Sequence, residues 1–186
     1  MKNFLFLADG FEEIEALATV DILRRAGFDI QTVSIKHDHM VTGAHGIMVK
    51  ADITFKEADF SDTDWLILPG GMPGATNLHE FGALNDLLKV HAGKGRIAAI
   101  CASPAVVLAA TGVLKGKNAT CYTGFETELV AAGATPLTQR VVVDGNIVTA
   151  NGPASTPAFA LEIVRLTKGD DLAGRVANDM LAWSGI

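Results

Sequence analysis

The 186-residue chain is 49% hydrophobic but only 6% aromatic, so we expect one domain over residues 1–186 with a core of aliphatic side chains. Its net charge of −6 argues against a nucleic acid or an anionic membrane as a partner, because both bind basic surfaces. Two cysteines do not predict a disulfide framework in a chain of this length, so a reducing cytoplasm is the expected location.

The first elements predicted along the chain are a strand, a helix, a strand and a hairpin. Residues 2–8 form an apolar strand, and this run ends at Asp9 before it is long enough for a signal peptide or a membrane span. The segment 9–12 predicts a capping box with Asp9 as the cap, followed by a helix to about Ala26 that Gly27 ends. Residues 28–35 indicate a second strand, and residues 41–52 a hairpin or an irregular excursion.

The rest of the chain alternates between buried strands and helices. Strands are predicted at 65–68, 96–100 and near 118–122, and helices at 77–93, 102–110, 125–132, 155–168 and 170–182. Residues 141–143 and 147–149 flank Asp144-Gly145-Asn146, which predicts a hairpin. Continuous apolar strands separated by helices indicate an α/β fold with a mainly parallel sheet covered on both faces and antiparallel hairpins added at an edge.

Reactive residues follow three of the predicted strands. Glu15 comes after the first strand, the glycines Gly70 and Gly71 follow strand 65–68, and Cys101 follows strand 96–100. Ligands of open α/β sheets bind outside the carboxyl ends of the strands, so we expect these residues to meet at one rim.

Cys101 is the predicted nucleophile of this rim. Its place between a buried strand and a helix is typical of a nucleophile elbow, and the N–H groups of the following helix would favour its thiolate. A buried structural cysteine is the competing interpretation. We expect Cys121 to serve packing.

Glu15 and the glycine loop are predicted to assist Cys101. Glu15 lies between Ile14 and Leu17 on a helix that should pack inward, and a carboxyl beside a thiolate should keep its proton and donate a hydrogen bond to sulfur. Gly70 and Gly71 would offer N–H groups to an oxyanion, although a plain turn is the simpler interpretation of isolated glycines. A phosphate loop is disfavoured, because the glycine spacing and the lysine are absent.

The other titratable residues are expected to be solvated. Glu12 and Glu13 fit an exposed first helical turn, and the histidines at positions 37, 39, 79 and 91 fit a polar turn or a helix surface. For His45, in the predicted hairpin, the residues alone do not decide between a solvated side chain and a functional one. No zinc-ligand spacing occurs, so no metal is predicted.

Several motifs together resemble those of the ThiJ/PfpI family of DJ-one-like proteins, within the class I glutamine amidotransferase-like superfamily. They run from ADGFEEIE at 8–15 and DILRRAG at 21–27 through LPGGMPGA at 68–75 and AAICASP at 98–104 to NGP at 151–153. The resemblance implies a flavodoxin-like three-layer α/β/α sandwich that forms a homodimer.

The resemblance also assigns roles to single residues. Cys101 matches the family's nucleophile and Glu15 the glutamate hydrogen-bonded to it, while Gly71 and Ala102 match the oxyanion donors. It further implies that five residues line the site or contact the substrate: Gly70, Tyr122, His45, Gly152 and Pro153.

The sequence departs from the family pattern in lacking a histidine next to the cysteine. Ala102 follows Cys101, and Tyr122 stands where many members carry a histidine after the next strand. An amidase or cysteine peptidase is therefore the least favoured class, unless a distant histidine reaches Cys101. The resemblance favours a cofactor-independent glyoxalase or deglycase of small 2-oxoaldehydes or their adducts, with an oxidative-stress role. A redox-sensing chaperone that acts through oxidation of Cys101 is the alternative.

Overall fold

The computed structural model describes residues 1–182. In this part of the chain eleven strands are formed: β1 (Lys2–Leu7), β2 (Ile30–Ser34), β3 (Met40–Thr42), β4 (Met48–Lys50), β5 (Ile53–Thr54), β6 (Thr63–Leu68), β7 (Arg96–Ile100), β8 (Asn118–Ala119), β9 (Thr135–Pro136), β10 (Val141–Asp144) and β11 (Ile147–Ala150). Seven of them form the central sheet, in the order β10-β11-β7-β6-β1-β2-β5.

The central sheet is mainly parallel, as the apolar strands predict. Only β10 runs antiparallel to its neighbour, as half of the edge hairpin that turns at Asp144-Gly145-Asn146. The chain builds outward from β1 to β2 and β5, and then returns to the other side of β1 with β6 and β7. The order therefore reverses between β1 and β6, and α/β proteins bind ligands beyond the strand ends at such a point.

Three short strands differ from the sequence prediction, and two of them, β5 and β9, were not predicted at all. The segment near 118–122 pairs only over Asn118–Ala119, and it does so with β9 in a separate two-stranded sheet. The short strand β5 was not predicted; it extends the central sheet through Val33 and Ser34 of β2. Two-residue strands carry too little hydrophobic periodicity to be recognised from sequence.

The helices are α1 (Glu13–Arg25), α2 (Gly74–Glu80), α3 (Gly82–His91), a π-helix (Pro104–Leu108) continued by α4 (Ala109–Thr111), α5 (Glu126–Ala131), α6 (Thr156–Lys168) and α7 (Asp170–Asp179). The single helix predicted over 77–93 is therefore wrong. The backbone leaves the helical region at Phe81, whose ring packs edge-to-face against Phe55 with centroids 4.9 Å apart. No helix within residues 1–182 has the length and apolar character needed to cross a bilayer.

Helix α1 begins with a different cap from the predicted one. Glu12 is the N-cap, and its carboxylate accepts the N–H of Glu15 at 2.7 Å. Asp9 instead accepts the N–H of Thr42 and the ammonium of Lys36. The carboxylate of Asp9 therefore ties the β3–β4 hairpin to the end of β1 rather than capping the helix.

Helices cover both faces of the sheet, in agreement with the predicted layers. Helix α1 packs against α6, which packs against α7, whereas α2, α3 and α5 form a second group with the π-helix and α4. One hydrophobic cluster joins these elements, from Phe4 in β1 to Val176 in α7. Strands β1 and β6 are almost wholly buried, as expected of central parallel strands.

His91 is buried in this core, at 1% exposure, so the prediction that it lies on a helix surface is wrong. Its Nε2 is 2.9 Å from the carbonyl oxygen of Asp64. Gly95 leaves the space for the ring, because a Cβ at this position would overlap the imidazole. Burial lowers the pKa of His91.

We expect His91 to make the protein less stable in mild acid. Its pKa is lower in the folded chain than the 6.5 of an unperturbed histidine, so the unfolded chain binds one more proton between the two values. Stability is then lost as the pH falls below 6.5, by up to about 1.4 kcal/mol per pH unit. Urea unfolding of the wild type, His91→Gln and the exposed control His37→Gln tests this. Parallel pH curves for the wild type and His91→Gln would contradict it.

Candidate active site

The structure brings Glu15, Gly70, Gly71 and Cys101 together beyond the carboxyl ends of β1, β6 and β7. The N–H of Gly70 donates to Oε2 of Glu15 at 2.7 Å. The side chains of Glu15 and Cys101 both lie against Gly70, since a Cβ there would be 2.8 Å from Oε2 of Glu15 and 2.6 Å from the Cβ of Cys101. The site therefore lies at the ends of β1 and β6, between which the strand order reverses, and it extends to the end of the neighbouring strand β7.

Cys101 occupies a sharp turn directly after β7. Its φ of 64° lies in the left-handed region, which is uncommon for a residue with a side chain and is typical of a nucleophile elbow. Three hydrogen bonds hold this turn. The N–H of Cys101 donates to Ala150 at 2.8 Å, its carbonyl accepts from Tyr122 at 2.7 Å, and the Ser103 hydroxyl donates to Pro69 at 2.6 Å.

Two backbone N–H groups point at the sulfur of Cys101. They belong to Gly71 and Ala102, the two positions that the resemblance assigns to oxyanion donors. Gly71 has a φ of 87°, and a Cβ there would collide with the backbone at Glu12. The loop can therefore present this N–H only if residue 71 is glycine.

Glu15 is wholly buried, at 0% exposure. Burial raises the pKa of Glu15 to about 7, against the opposing hydrogen bonds from Gly70 and Cys101. The apolar neighbours named from the sequence do not cause this burial, because Ile14 and Leu17 are 56% and 40% exposed. Helix α1 directs Glu15 toward the sheet, and it directs Ile14 and Leu17 toward the protein surface.

The pKa of Cys101 departs from the sequence prediction. The N–H groups of Gly71 and Ala102 do lower it, but burial and then an ionised Glu15 outweigh them and raise it to about 12. The two groups are a coupled pair in which the first proton lost leaves one negative charge. When Glu15 keeps the proton, its O–H donates to sulfur and it no longer repels the thiolate.

A cavity of about 460 Å³ opens above Cys101. Its walls are mostly apolar and are formed by Ile14, Met72, Tyr122, Phe125 and Pro153, with Glu12, His45, Gly71, Cys101 and Ala102 as the remaining lining residues. Gly152 supports the tyrosine ring, since a Cβ on it would lie 3.3 Å from the ring of Tyr122. Of the five residues predicted to line the site, Tyr122, His45 and Pro153 line this cavity. Gly70 lies against Cys101 and Glu15 instead, and Gly152 lies against Tyr122.

Glu12 and Glu13 are buried, so the prediction of a solvated first turn is wrong for both. Glu12 caps α1, while Glu13 accepts the N–H and the ring nitrogen Nδ1 of His45 at 2.8 and 2.7 Å. Among residues 1–182, these two carboxylates and His45 have side-chain ligand atoms within 4.8 Å of one another, the arrangement that could hold a metal ion. The protein itself already uses both oxygens of Glu13 as hydrogen-bond acceptors.

The sequence missed Glu13, Met72 and Phe125 as residues of this site. Glu13 could have been recognised only by its long-range contact with His45, because local periodicity does not show that the hairpin folds onto α1. Met72 lines the cavity and lies within the glycine loop that the sequence analysis recognised. Of the three missed residues, it is therefore the one that the motif could have suggested.

We expect Cys101 to react with iodoacetamide faster than Cys121 at pH 6 to 8. Burial and then the carboxylates Glu126 and Glu128 raise the pKa of Cys121 to about 12, and no N–H group counteracts them. Cys121 lines a separate cavity of about 310 Å³. Mapping the modified thiols against pH measures this, with Cys121→Ser and Cys101→Ser as matched controls. Faster modification of Cys121 at pH 6 would contradict the choice of nucleophile.

Comparisons with known proteins show to which family the chain is similar. The model of the DJ-1/PfpI family matches residues 1–166. The chain is 37% identical over 176 residues to Protein DJ-1 homolog A of Arabidopsis thaliana; the match covers 94% of this chain but 45% of that relative's length. It is 34% identical over 169 residues to Deglycase PfpI of Pyrococcus furiosus, covering 90% of this chain and all of that one.

A solved structure shows the same fold. Oxidized Toxoplasma gondii DJ-1 superposes with a TM-score of 0.92 at 37% identity, over 98% of this chain and 99% of the other. The predicted flavodoxin-like sandwich is thereby confirmed. With the family model covering most of its length, the chain belongs to the DJ-1/PfpI family.

Proposed function

We propose that the protein is a cysteine-dependent enzyme of the glyoxalase or deglycase type that acts on small 2-oxoaldehydes or their adducts and serves in oxidative stress. The observation that carries the proposal is the buried pair of Glu15 and Cys101 under two N–H donors, at the base of an open cavity. The similarity to Deglycase PfpI supports the substrate class.

The proposed reaction starts with one negative charge shared by Glu15 and Cys101, in the form in which Cys101 is the thiolate and Glu15 carries the proton. The thiolate of Cys101 bonds to the aldehyde carbon C1, and the new alkoxide, held by the N–H groups of Gly71 and Ala102, takes the proton from Glu15. The Glu15 carboxylate then removes the hydrogen of C1, and the electron pair moves to the C2 carbonyl. This proton returns to C2, and the hydroxyl proton moves from the oxygen of C1 to the oxygen of C2, which leaves a thioester. C1 is thereby oxidised, C2 is reduced and no external redox partner is consumed. Water then releases a hydroxyacid and the thiol.

The cavity walls suit an uncharged substituent. The apolar side chains that surround Cys101 offer no fixed cation besides His45, so an aliphatic or aromatic 2-oxoaldehyde fits better than a phosphorylated one. Glycated thiols and amines belong to the same substrate class, because reversal of the adduct releases an aldehyde whose carbon the sulfur can attack.

The test is consumption of methylglyoxal and phenylglyoxal without added cofactor and in the presence of a chelator. We expect turnover by the wild type and by Cys121→Ser, and a loss of about 10³-fold or more in Cys101→Ser, as expected when a covalent nucleophile is removed. Turnover retained in Cys101→Ser would overturn the proposal.

Redox sensing by Cys101 is the second candidate. The N–H groups of Gly71 and Ala102 and the carboxyl of Glu15 surround the sulfur, and they could equally hold the oxygens of a sulfinate. The related Toxoplasma structure is of an oxidized protein. Peroxide treatment followed by steady turnover measurements separates the two, since a sensor without catalytic function would not turn over 2-oxoaldehydes before oxidation.

A peptidase is less well supported. Besides burial, the groups that shift the pKa of Cys101 are the carboxyl of Glu15 and two backbone N–H groups, whereas a cysteine peptidase pairs its thiol with an imidazole. His45 lines the same cavity, so hydrolysis of amide substrates belongs in the assay as a control.

We also propose that the protein acts as a homodimer, as the family resemblance implies. The β3–β4 hairpin by itself gives no reason for a dimer, because contacts within its own chain hold it: Gly10 donates to Thr42 and Ala44 donates to Phe11, each at 2.7 Å. Exposed apolar side chains on α1 and the hairpin support the proposal instead, namely Ile14, Leu17, Ile47 and Met48.

Sedimentation at micromolar concentration tests the dimer. We expect twice the 19.5 kDa chain mass, and dissociation in Met48→Asp because a charge would be buried in the interface. The control is Val90→Asp, which changes an exposed residue of α3 away from this surface. A wild-type monomer would contradict the proposal.

A further inference from the structure

The loop between β3 and β4 carries His45 into the wall of the cavity above Cys101. The N–H of Ala44 donates to the carbonyl of Phe11 at 2.7 Å, and the N–H of His45 donates to Oε1 of Glu13 at 2.8 Å. Gly43 permits this approach, because a Cβ there would overlap the Glu13 carboxylate. The position of His45 is therefore set by its own chain, through contacts with the start of α1.

The imidazole of His45 is oriented by a buried carboxylate. Nδ1 lies 2.7 Å from Oε2 of Glu13, which is itself buried, and within residues 1–182 the other ring nitrogen has no hydrogen-bond partner in the protein. A carboxylate that holds Nδ1–H fixes the tautomer and leaves Nε2 as the working nitrogen. The side chain of His45 is 69% exposed, so water reaches this nitrogen.

Glu15 is placed differently and cannot serve the last step of the proposed reaction as well. It is at 0% exposure, accepts the N–H of Gly70 and is not among the residues that line the cavity. A water that attacks a thioester on Cys101 comes instead from the open side of the cavity, where His45 lies. Of the two acid/base groups, His45 lines the open cavity and Glu15 does not.

We propose that His45, oriented by Glu13, is the general base that activates the water for release of the product from Cys101. Nε2 takes one proton from the water while its oxygen bonds to the thioester carbon, and the N–H groups of Gly71 and Ala102 hold the oxyanion. The carbon–sulfur bond then breaks, the proton on His45 neutralises the leaving thiolate, and one carboxylic acid departs. This inference rests on the proposed function and adds a catalytic residue to it.

The charges around His45 determine its pH dependence. The hydrogen bond and the charge of Glu13 raise the pKa of His45, with a smaller contribution from Glu12. The other groups that face it across the cavity are Cys101 and Tyr122. The basic form is lost as the pH falls through the raised pKa, so thioester release slows in acid. Removing the charge in Glu13→Gln should lower that pKa and move the acid limb to lower pH.

The experiment separates formation of the thioester from its release. Enzyme is mixed with methylglyoxal and freed of substrate by rapid desalting, which reverses any hemithioacetal, and the remaining adduct on Cys101 is followed by intact-protein mass spectrometry. In His45→Asn we expect a first turnover within about threefold of the wild type, a steady-state rate lower by about 10²- to 10⁴-fold, and an accumulated adduct. Hydroxylamine, which attacks thioesters directly, should release this adduct.

The control His37→Asn changes an exposed histidine before β3 and should behave as the wild type. Unchanged steady-state turnover in His45→Asn would overturn the inference, and so would equal loss of the first turnover and the steady state without an adduct, because His45 would then only support the site. If the wild type and every variant fail to consume 2-oxoaldehydes, the proposed function itself is wrong and the inference fails with it.

Discussion

Glu15→Gln is expected to abolish turnover of 2-oxoaldehydes while Cys101 keeps reacting with iodoacetamide. Glutamine retains a hydrogen-bond donor toward sulfur but cannot accept the hydrogen of C1, so turnover should fall by about 10²- to 10⁴-fold. The thiol should become more acidic, because an ionised Glu15 contributes to the raised pKa of Cys101 and the amide carries no charge.

Glu15→Asp is the matched variant. It retains the carboxyl group but withdraws it from the sulfur by one methylene, and so we expect it to impair both thiol reactivity and turnover. The measurements are thiol reactivity against pH and the rate of 2-oxoaldehyde consumption for both variants. Wild-type turnover in Glu15→Gln would show that Glu15 is not the acid/base group.

The same substitution should change how stability depends on pH. The pKa of Glu15 is raised from 4.5 to about 7 in the folded chain, so folding is penalised above pH 7 by the buried charge and is free of this penalty below pH 4.5. At 1.36 kcal/mol per pKa unit, the penalty is about 3 kcal/mol. We therefore expect the stability of Glu15→Gln relative to the wild type to rise by about this amount from pH 4 to pH 8. A difference that is independent of pH would contradict the raised pKa.

Gly70→Ala should inactivate the enzyme through a clash within the catalytic pair. A Cβ at this position would lie 2.6 Å from the Cβ of Cys101 and 2.8 Å from Oε2 of Glu15. One of these groups must move, and a displacement of about 1 Å in an active site costs about 10²-fold in rate. The methyl group would also overpack a buried site, at a cost of about 1–3 kcal/mol.

Gly82→Ala is the control for this prediction, since a Cβ at Gly82 meets nothing within 4 Å. Turnover, thiol reactivity and urea unfolding should all be near wild type in Gly82→Ala and all be impaired in Gly70→Ala. Near-normal turnover in Gly70→Ala would mean that Glu15 and Cys101 need not remain in their observed contact.

The sequence alone was sufficient for the mainly parallel character of the sheet and for the position of Cys101. Apolar runs such as those of β6 and β7 are local patterns, and a parallel sheet follows from their alternation with helices. The place of Cys101 after β7 already indicated an elbow, and the order of the motifs indicated the family. The break between α2 and α3 at Phe81 could not be predicted from local patterns, because it accompanies a packing contact with Phe55, which is distant in sequence.

The burial and pKa values of the site residues, and the part of the cavity wall that His45 forms, could be determined only from the tertiary structure. Burial depends on neighbours distant in sequence: Glu12 and Glu13 have the composition of an exposed helical turn, yet the folded hairpin covers them. The pKa of Cys101 could not be inferred from its N–H donors alone, because desolvation and Glu15 oppose them. His45 lies 32 residues from Glu13 in sequence, and no local periodicity reports a contact across that distance; only folding of the β3–β4 hairpin onto α1 brings the imidazole to the cavity.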